Sequence, residues 1–442
     1  MGKYQSYPDY KKASVTWLDE MPEHWILSKV KYIAPFQVGW TPPTKNDENF
    51  VGENLWVNIS DLKKKVITNT SKRISDKAAK EASMSITPKG SLMYSFKLSV
   101  GTVSFAGEDM YTNEAIASFL DSARLPLSYL YYALPKFVIE NASTNIYGAR
   151  ILNQELINNA QLLEPTFEEA ENIANFLDHE TAKIDILIEK QQQLIKLLKE
   201  KRQAVISHAV TKGLNPQTPM KDSGVEWLGE VPSNWDVINM HYVLNAIGDV
   251  DHYMPQSVDK GIPYVMTGDL TEFASNISFE QCKQVSKKDY LKLSNKIKSA
   301  KGDVIMARYA TIGTVSYIDI DRDFLVSYSC VTIKPNPLKV LGLYLYYYFK
   351  SHAFLEGIQS QINTNTQGNV GVNDLKKIKV TLPSLTEQAE IIEYLQTAMN
   401  KLDMLVSKSK NTIRLSKERR TALISAAVTG KIDVRNWEQP ND

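Results

Sequence analysis

The chain has 442 residues, 43% of them hydrophobic and 23% charged, and its 51 Lys plus Arg against 50 Asp plus Glu leave a formal net charge of +1. This composition excludes a disordered chain, and the length excludes one ordinary core, so two or more domains are expected. Neutrality excludes a uniformly basic surface but leaves room for a local basic face.

From the N-terminus, MGKYQSYPDYKK has no apolar core or cleavage pattern, and no run of 18 apolar residues follows anywhere. Neither a signal peptide nor a membrane span is expected. Two cysteines, Cys282 and Cys330, rule out a disulfide framework and fit a reducing compartment. A cytoplasmic protein with no membrane partner is therefore expected.

The stretch WLDEMPEHW (Trp17 to Trp25) comes next. Short apolar runs, LWVNIS, SLMYSF and GTVSFA, then alternate with Gly, Asn and Asp and are predicted as strands. LSYLYYALPKF has helical apolar spacing, and the Asn- and Gly-containing STNIYGAR reads as a loop. After Pro165 no Gly or Pro interrupts the chain until Gly213, which predicts a long helix capped by Thr166.

The same order then returns. WLGEVPSNW runs from Trp227 to Trp235, 210 positions after its counterpart, in a chain with only 7 Trp. IPYVMT, DVIMAR, GTVSYI and CVTIKP are predicted strands, LGLYLYYYFKSHAF a predicted helix and INTNTQGNVG a loop. A second uninterrupted stretch runs from Ser384, a predicted cap, to Gly430. GSLMYSFKLSVGTVS aligns with GDVIMARYATIGTVS, and KRQAVISHAVTKG with RRTALISAAVTGK. Two copies this large are duplicated domains, not a solenoid.

Each uninterrupted stretch, as a helix of roughly 44 residues, would be about 65 Å long and needs a partner along its side. Leu177, Ile184, Gln191, Leu198 and Val205 recur every seven residues, with Leu187, Leu194, Ile188 and Ile195 beside them. Leu395, Leu402, Ser409, Ser416 and Leu423 do the same, beside Leu405, Val406 and Ile413. Each helix is the natural partner of the other in a coiled coil. The expected fold is α+β: two similar domains separated by two long helices packed as an antiparallel coiled coil, with pseudo-two-fold symmetry. The expected boundaries are 1–163 for domain 1, 164–213 for helix 1, 214–381 for domain 2, 382–434 for helix 2 and 435–442 for a tail. Such a pair would read split, non-palindromic DNA, with half-sites about one helical turn, roughly 34 Å, apart.

The duplicated W-L-x-E-x-P-x-x-W and GTVS segments, the stretch LPSLTEQAEI and the ending ISAAVTGKID resemble the specificity subunits of type I restriction–modification systems over essentially the whole chain. The first copy of the helix start is looser, with Ala170 where the second has Gln388. The resemblance implies a non-catalytic DNA-addressing subunit without cofactor. Its implied partners are double-stranded DNA, two methyltransferase subunits and motor-endonuclease subunits.

No residue pattern contradicts this. There is no Asn/Asp-Pro-Pro-aromatic stretch of an adenine methyltransferase, no GxxxxGK[ST] and no His cluster at metal spacing. A self-contained restriction–methylation enzyme is one rival, and a repeat scaffold that binds proteins and not DNA is the other. Candidate DNA contacts in the first domain are Lys63, Lys64, Lys65, Lys72, Arg73, Tyr94, Lys97, Asn145 and Arg150. In the second they are Lys283, Lys287, Lys288, Arg308, Tyr309, Asn363, Asn365 and Gln367. Cations suit phosphates, and Arg, Asn, Gln and aromatics suit base edges. Each also has a plain reading as solvated surface. Basic clusters Lys196/Lys199/Lys201/Arg202 and Arg414/Lys417/Arg419/Arg420 read equally as solvated flanks or as contacts to a partner or DNA.

Overall fold

The structure, a computed structural model, describes residues 4–81, 83–144, 148, 150–359 and 368–439. It forms two compact units, Met1–Lys190 with Thr412–Asp442, and Gln191–Asn411.

In the first unit a five-stranded sheet has the order Phe36–Val38, Ile116–Phe119, Leu92–Ser95, Val103–Ala106, Val66–Ile67. Only its last pair is parallel. A three-stranded sheet, Tyr111–Thr112, Asn54–Val57, Lys72–Ile74, lies in the same unit. All four residues of Leu92–Ser95 are buried, which is why this strand reads as a continuous apolar run and not an alternating one. Leu92 and Tyr94 join the cluster of the helix Leu127–Phe137. Met93 points the other way, to Val57, Leu62, Ile67 and Ile116.

The second unit repeats these pairings. Its four-stranded sheet has the order Leu244–Gly248, Cys330–Pro335, Val304–Ala307, Val315–Tyr317, and its three-stranded sheet the order Lys283–Val285, Ile262–Val265, Leu325–Val326. Val304 and Met306 pack with the tyrosine-rich helix, Ile305 and Ala307 with Val265 and Ala274. The missing fifth strand survives as an isolated parallel bridge, Phe273 to Tyr317. The stretch expected as one helix over 341–354 is two, Gly342–Phe349 and His352–Gln359. Ser351 divides them: its hydroxyl donates to Tyr348 O at 2.6 Å and accepts from Phe354 N at 3.2 Å.

Tyr129 and Tyr348 bury their rings and spend their hydroxyls on backbone. Tyr129 donates to Leu163 O at 3.1 Å, and Tyr348 to Lys379 O at 2.8 Å. The long helices run Phe167–Lys212 and Leu385–Val428, 46 and 44 residues. Thr166 and Ser384 accept from Glu169 N and Glu387 N at 3.3 and 3.2 Å, as expected of caps. Gly213 and Gly430 end the helices in the left-handed region, at φ 76° and 71°.

The repeated tryptophan motif meets these helix ends. In the first unit a Cβ on Gly430 would lie 2.4 Å from Pro22 and 3.4 Å from Trp25. In the second, a Cβ on Gly213 would lie 3.2 Å from Trp235. Trp25 and Trp235 are both fully buried. Each motif is thus a seat for the end of the long helix that closes its own unit.

Within each unit, segments of both long helices pack antiparallel. In the first, Arg420 Nε bonds Asp185 Oδ1 at 2.9 Å, while the helix start at Glu169 meets Trp25 beside Gly430. In the second, Arg202 pairs with Asp403, and Gly213 meets Glu387. Leu177, Ile184, Leu198, Leu395, Leu402, Ser409, Ser416 and Leu423 are buried, as the seven-residue spacing requires. Leu187, Leu194 and Leu405, expected beside the seam, are instead exposed, as are Leu197 and Met404. Two helices cover only a narrow stripe of each other, so side chains next to the seam stay outside it.

Candidate nucleic-acid interface

Each unit carries a tight turn after the strand that is buried on both faces. In the first unit Ser95 N bonds Thr102 O, Gly101 N bonds Ser95 O and Thr102 N bonds Ser99 O, at 2.9 to 3.2 Å. In the second, Ala307 N to Thr314 O, Gly313 N to Ala307 O and Thr314 N to Thr311 O repeat them. Gly101 and Gly313 sit at φ 88° and 83°, so the repeated glycine before TVS is a backbone requirement of this turn.

The second unit gathers further segments around its turn. Tyr309 forms an antiparallel bridge with Asn369, and Val370 N bonds Arg308 O at 3.2 Å. The turn thereby joins the segment that follows the expected reading loop. Asn363, Asn365 and Gln367 of that loop, and Asn145 of its counterpart, lie outside the described residues.

Two expected contacts are placed differently. Tyr94 is fully buried in the core of the first unit, with burial pushing its hydroxyl pKa well up, because the strand alternation turns it toward the helix Leu127–Phe137. It has no path to a duplex in this arrangement. Arg308 is also buried, its side chain 8% exposed, and its Nη2 bonds Asp249 Oδ2 at 2.7 Å. Its charge is spent inside the protein.

The remaining candidates reach the surface in separate groups. Lys63, Lys64 and Lys65 are exposed in one loop, but Lys65 bonds Asp178 of the long helix at 2.6 Å and lies over the Tyr131 ring. It anchors the loop. Lys72 is exposed over the Phe50 ring, and Arg73 next to it bonds Glu53 O at 2.9 Å and Asn69 Oδ1 at 3.3 Å. Lys97 stands at the turn tip, 3.8 Å from Glu114. Arg150 is exposed and within 3.9 Å of Glu140. In the second unit Lys283 lies over the Tyr264 ring. Lys287 and Lys288 are exposed in the first turn of the helix Lys287–Ser294, where the helix dipole disfavours cations.

Of the basic clusters, Arg202 serves Asp403 and Glu272, and Arg420 serves Asp185, all within their own units. Outside the expected contacts, the structure exposes His252 beside Arg308, Tyr253 and Met254 next to it in the chain, and Trp40 and Leu98 in the first unit. The signal available was aromatic residues in an otherwise acidic, turn-rich stretch, GDVDHYMP. Among the described residues there is no group of His, Cys, Asp and Glu that could hold a metal ion, and no helix is long and apolar enough to cross a membrane.

The family model described as "Type I restriction modification DNA specificity domain" matches this chain twice, over residues 22–197 and 232–415. The type I restriction enzyme MjaIX specificity subunit of Methanocaldococcus jannaschii is 22% identical over 345 residues, covering 72% of this chain and 77% of its own length. The EcoBI specificity subunit of Escherichia coli is 21% identical over 321 residues, covering 71% of this chain and 67% of its own. Two solved structures share the fold at 15% identity. A chain from a study of complex assembly and conformational transition in the type I R-M system superposes with a TM-score of 0.70, covering 93% of this chain and 99% of that one. The HsdS subunit from Thermoanaerobacter tengcongensis gives 0.54, covering 93% and 98%.

Proposed function

This chain belongs to the type I restriction–modification DNA specificity family, as a specificity subunit, and from that premise we propose how its parts divide the work. Residues 1–163 and 214–381 each read one part of a bipartite, asymmetric DNA target. Helices 164–213 and 382–434 set the unread spacer and dock two methyltransferase subunits, and motor-endonuclease subunits join the larger complex. The chain supplies the address and no chemistry, and works in the cytoplasm.

The observation that carries this reading is a duplicated backbone turn with unlike side chains: Phe96-Lys97-Leu98 in one copy, Arg308-Tyr309-Ala310 in the other. The same scaffold holding different side chains is what reading two different half-sites requires. Phosphate contacts are assigned to Lys63, Lys64, Lys72, Arg73, Arg150, Lys283, Lys287 and Lys288. Base contacts are assigned to Lys97, Tyr309 and the loops holding Asn145, Asn363, Asn365 and Gln367. Exposed Leu187, Leu194, Leu197, Met404 and Leu405 on the helices support the docking role.

Mapping methylated positions on DNA treated with the chain and its methyltransferase partner tests the reading. A two-part motif supports it, and indifference to DNA leaves only a protein scaffold. Lys72→Ala and Lys287→Ala are each expected to weaken binding on all sequences and to lower the salt slope by about one. A loss confined to particular bases would make either residue a reader.

A further inference from the structure

On the reading that the turn over 308–313 faces DNA, we infer that Arg308 is the positioning residue of the second half-site. It touches no base, and its buried guanidinium holds together the four segments that present the readers.

The geometry is specific to arginine. Nε points at Tyr328 O at 3.4 Å, Nη1 donates to Val370 O at 3.3 Å, and Nη2 reaches Asp249 Oδ2 at 2.7 Å and His252 Nε2 at 3.2 Å. The backbone adds Arg308 N to Ser329 O at 3.1 Å and Val370 N to Arg308 O at 3.2 Å. One residue therefore ties 249–252, 308–309, 328–329 and 370. Only a planar fork with five donors reaches several acceptors in fixed directions; a lysine offers one point charge. Asp249 is held from its other side by Lys296 at 3.3 Å.

The fold itself does not need this ion pair. By strand register Arg308 corresponds to Phe96, and Asp249 to Val38. Phe96 and Val38 belong to one apolar cluster, and Phe96 N bonds Ala115 O at 3.0 Å much as Arg308 N bonds Ser329 O. Apolar residues of one cluster thus hold both of these positions in the first unit. Buried ion pairs are commonly no more stable than apolar replacements of similar volume, and their best-attested use is to fix one arrangement. The arrangement fixed here presents exposed polar and aromatic groups. His252 is 58% exposed and stacked on Tyr328 at 4.9 Å; Tyr253 and Lys296 are exposed nearby, and the Tyr309 ring lies 4.9 Å from the guanidinium.

The experiment compares wild type, Arg308→Lys, and the double variant Arg308→Phe/Asp249→Val, which installs the first unit's apolar pair. Each full chain is combined with its methyltransferase partner on a pool of random DNA, methylated positions are mapped, and melting is followed in parallel. The double variant is expected to melt near wild type and to keep a sharp first half-site. Its preference at the second half-site falls on the order of tenfold per specified base pair. Arg308→Lys, which keeps the charge and loses the fork, blurs the same half-site to a lesser degree. A folded double variant with an unchanged second half-site would reduce Arg308 to a plug and overturn the inference. Loss at one base pair only would make Arg308 a direct reader, and equal loss at both half-sites would make it a general stability residue; either overturns it. If the double variant does not fold, Arg308→Lys decides by the same outcomes. Should wild type itself yield no two-part motif, the functional reading fails first.

Discussion

The two units solve the same backbone problem with different chemistry. Where a turn must follow the buried strand, both use Gly101 or Gly313 and the same backbone hydrogen bonds, yet the slot beneath is Phe96 with Val38 in one and Arg308 with Asp249 in the other. The starts of the long helices differ in the same way. In the first unit Glu169 is buried and accepts from Tyr7 Oη at 2.6 Å and Trp25 Nε1 at 3.0 Å, with His24 Nε2 at 2.9 Å. In the second unit the key moves one residue along, to Gln388. It accepts from Leu341 N at 2.8 Å and donates to Lys339 O at 3.0 Å and Pro383 O at 2.9 Å. Its counterpart is Ala170, fully buried, and Trp235 Nε1 has no hydrogen-bond partner among the described residues. After duplication, backbone geometry was retained and the polar atoms that serve it were redistributed.

That contrast breaks most sharply at Glu169. Glu169→Ala would strand two buried donors and is expected to cost about 3–5 kcal/mol, whereas Glu387→Ala, at a half-buried carboxylate, should cost less than about 1 kcal/mol. Calorimetric melting of both variants checks this, and equal losses would show that the helix starts are not specialised. Gln388→Ala comes next. It leaves Leu341 N–H unpaired, for about 1–3 kcal/mol. Ala170→Gln in the first unit forces a longer side chain into a fully buried position and should destabilise by overpacking, by about 1–3 kcal/mol. If Ala170→Gln were stabilising, the two helix starts would be interchangeable after all.

The shared backbone was legible in the sequence, and the redistributed polar chemistry was not. Repeats such as G-T-V-S, uninterrupted helical stretches and their caps depend on local rules, so strands, helices, Thr166, Ser384, Gly213 and Gly430 stand where they were expected. Burial of an individual side chain depends on partners far away in the chain. Arg308 looks like a DNA contact until Asp249, 59 positions earlier, is found beside it. Tyr94 looks like a loop aromatic until register turns it inward. The break at Ser351 was hidden because Tyr, Phe and Ala on both sides keep a helical apolar spacing across it.

The smallest expected difference lies where each recognition domain meets its own helix. The first unit uses Asp178, which accepts from Lys65 at 2.6 Å and Tyr132 Oη at 2.5 Å. The second uses Glu272, bonded to Lys350 and to Arg202 at 3.0 Å. Burial pushes the Glu272 carboxyl up, but Lys350 and then Arg202 outweigh it, and its pKa lies below the ordinary carboxylate value. A carboxyl depressed by folding stabilises the folded state above its unfolded pKa, near 4.3. That contribution fades as pH falls through the lower folded value. The second unit is therefore expected to lose a modest increment of stability below about pH 4.3, and Glu272→Gln should flatten that part of its acid limb. Because the group is about half exposed, solvent screening keeps the increment small. Hydrogen exchange at amides of the helix Gly342–Phe349, followed from neutral to acid pH, reads the effect in the second unit alone. An identical pH dependence in wild type and Glu272→Gln would show that the anchor gains nothing from its charge.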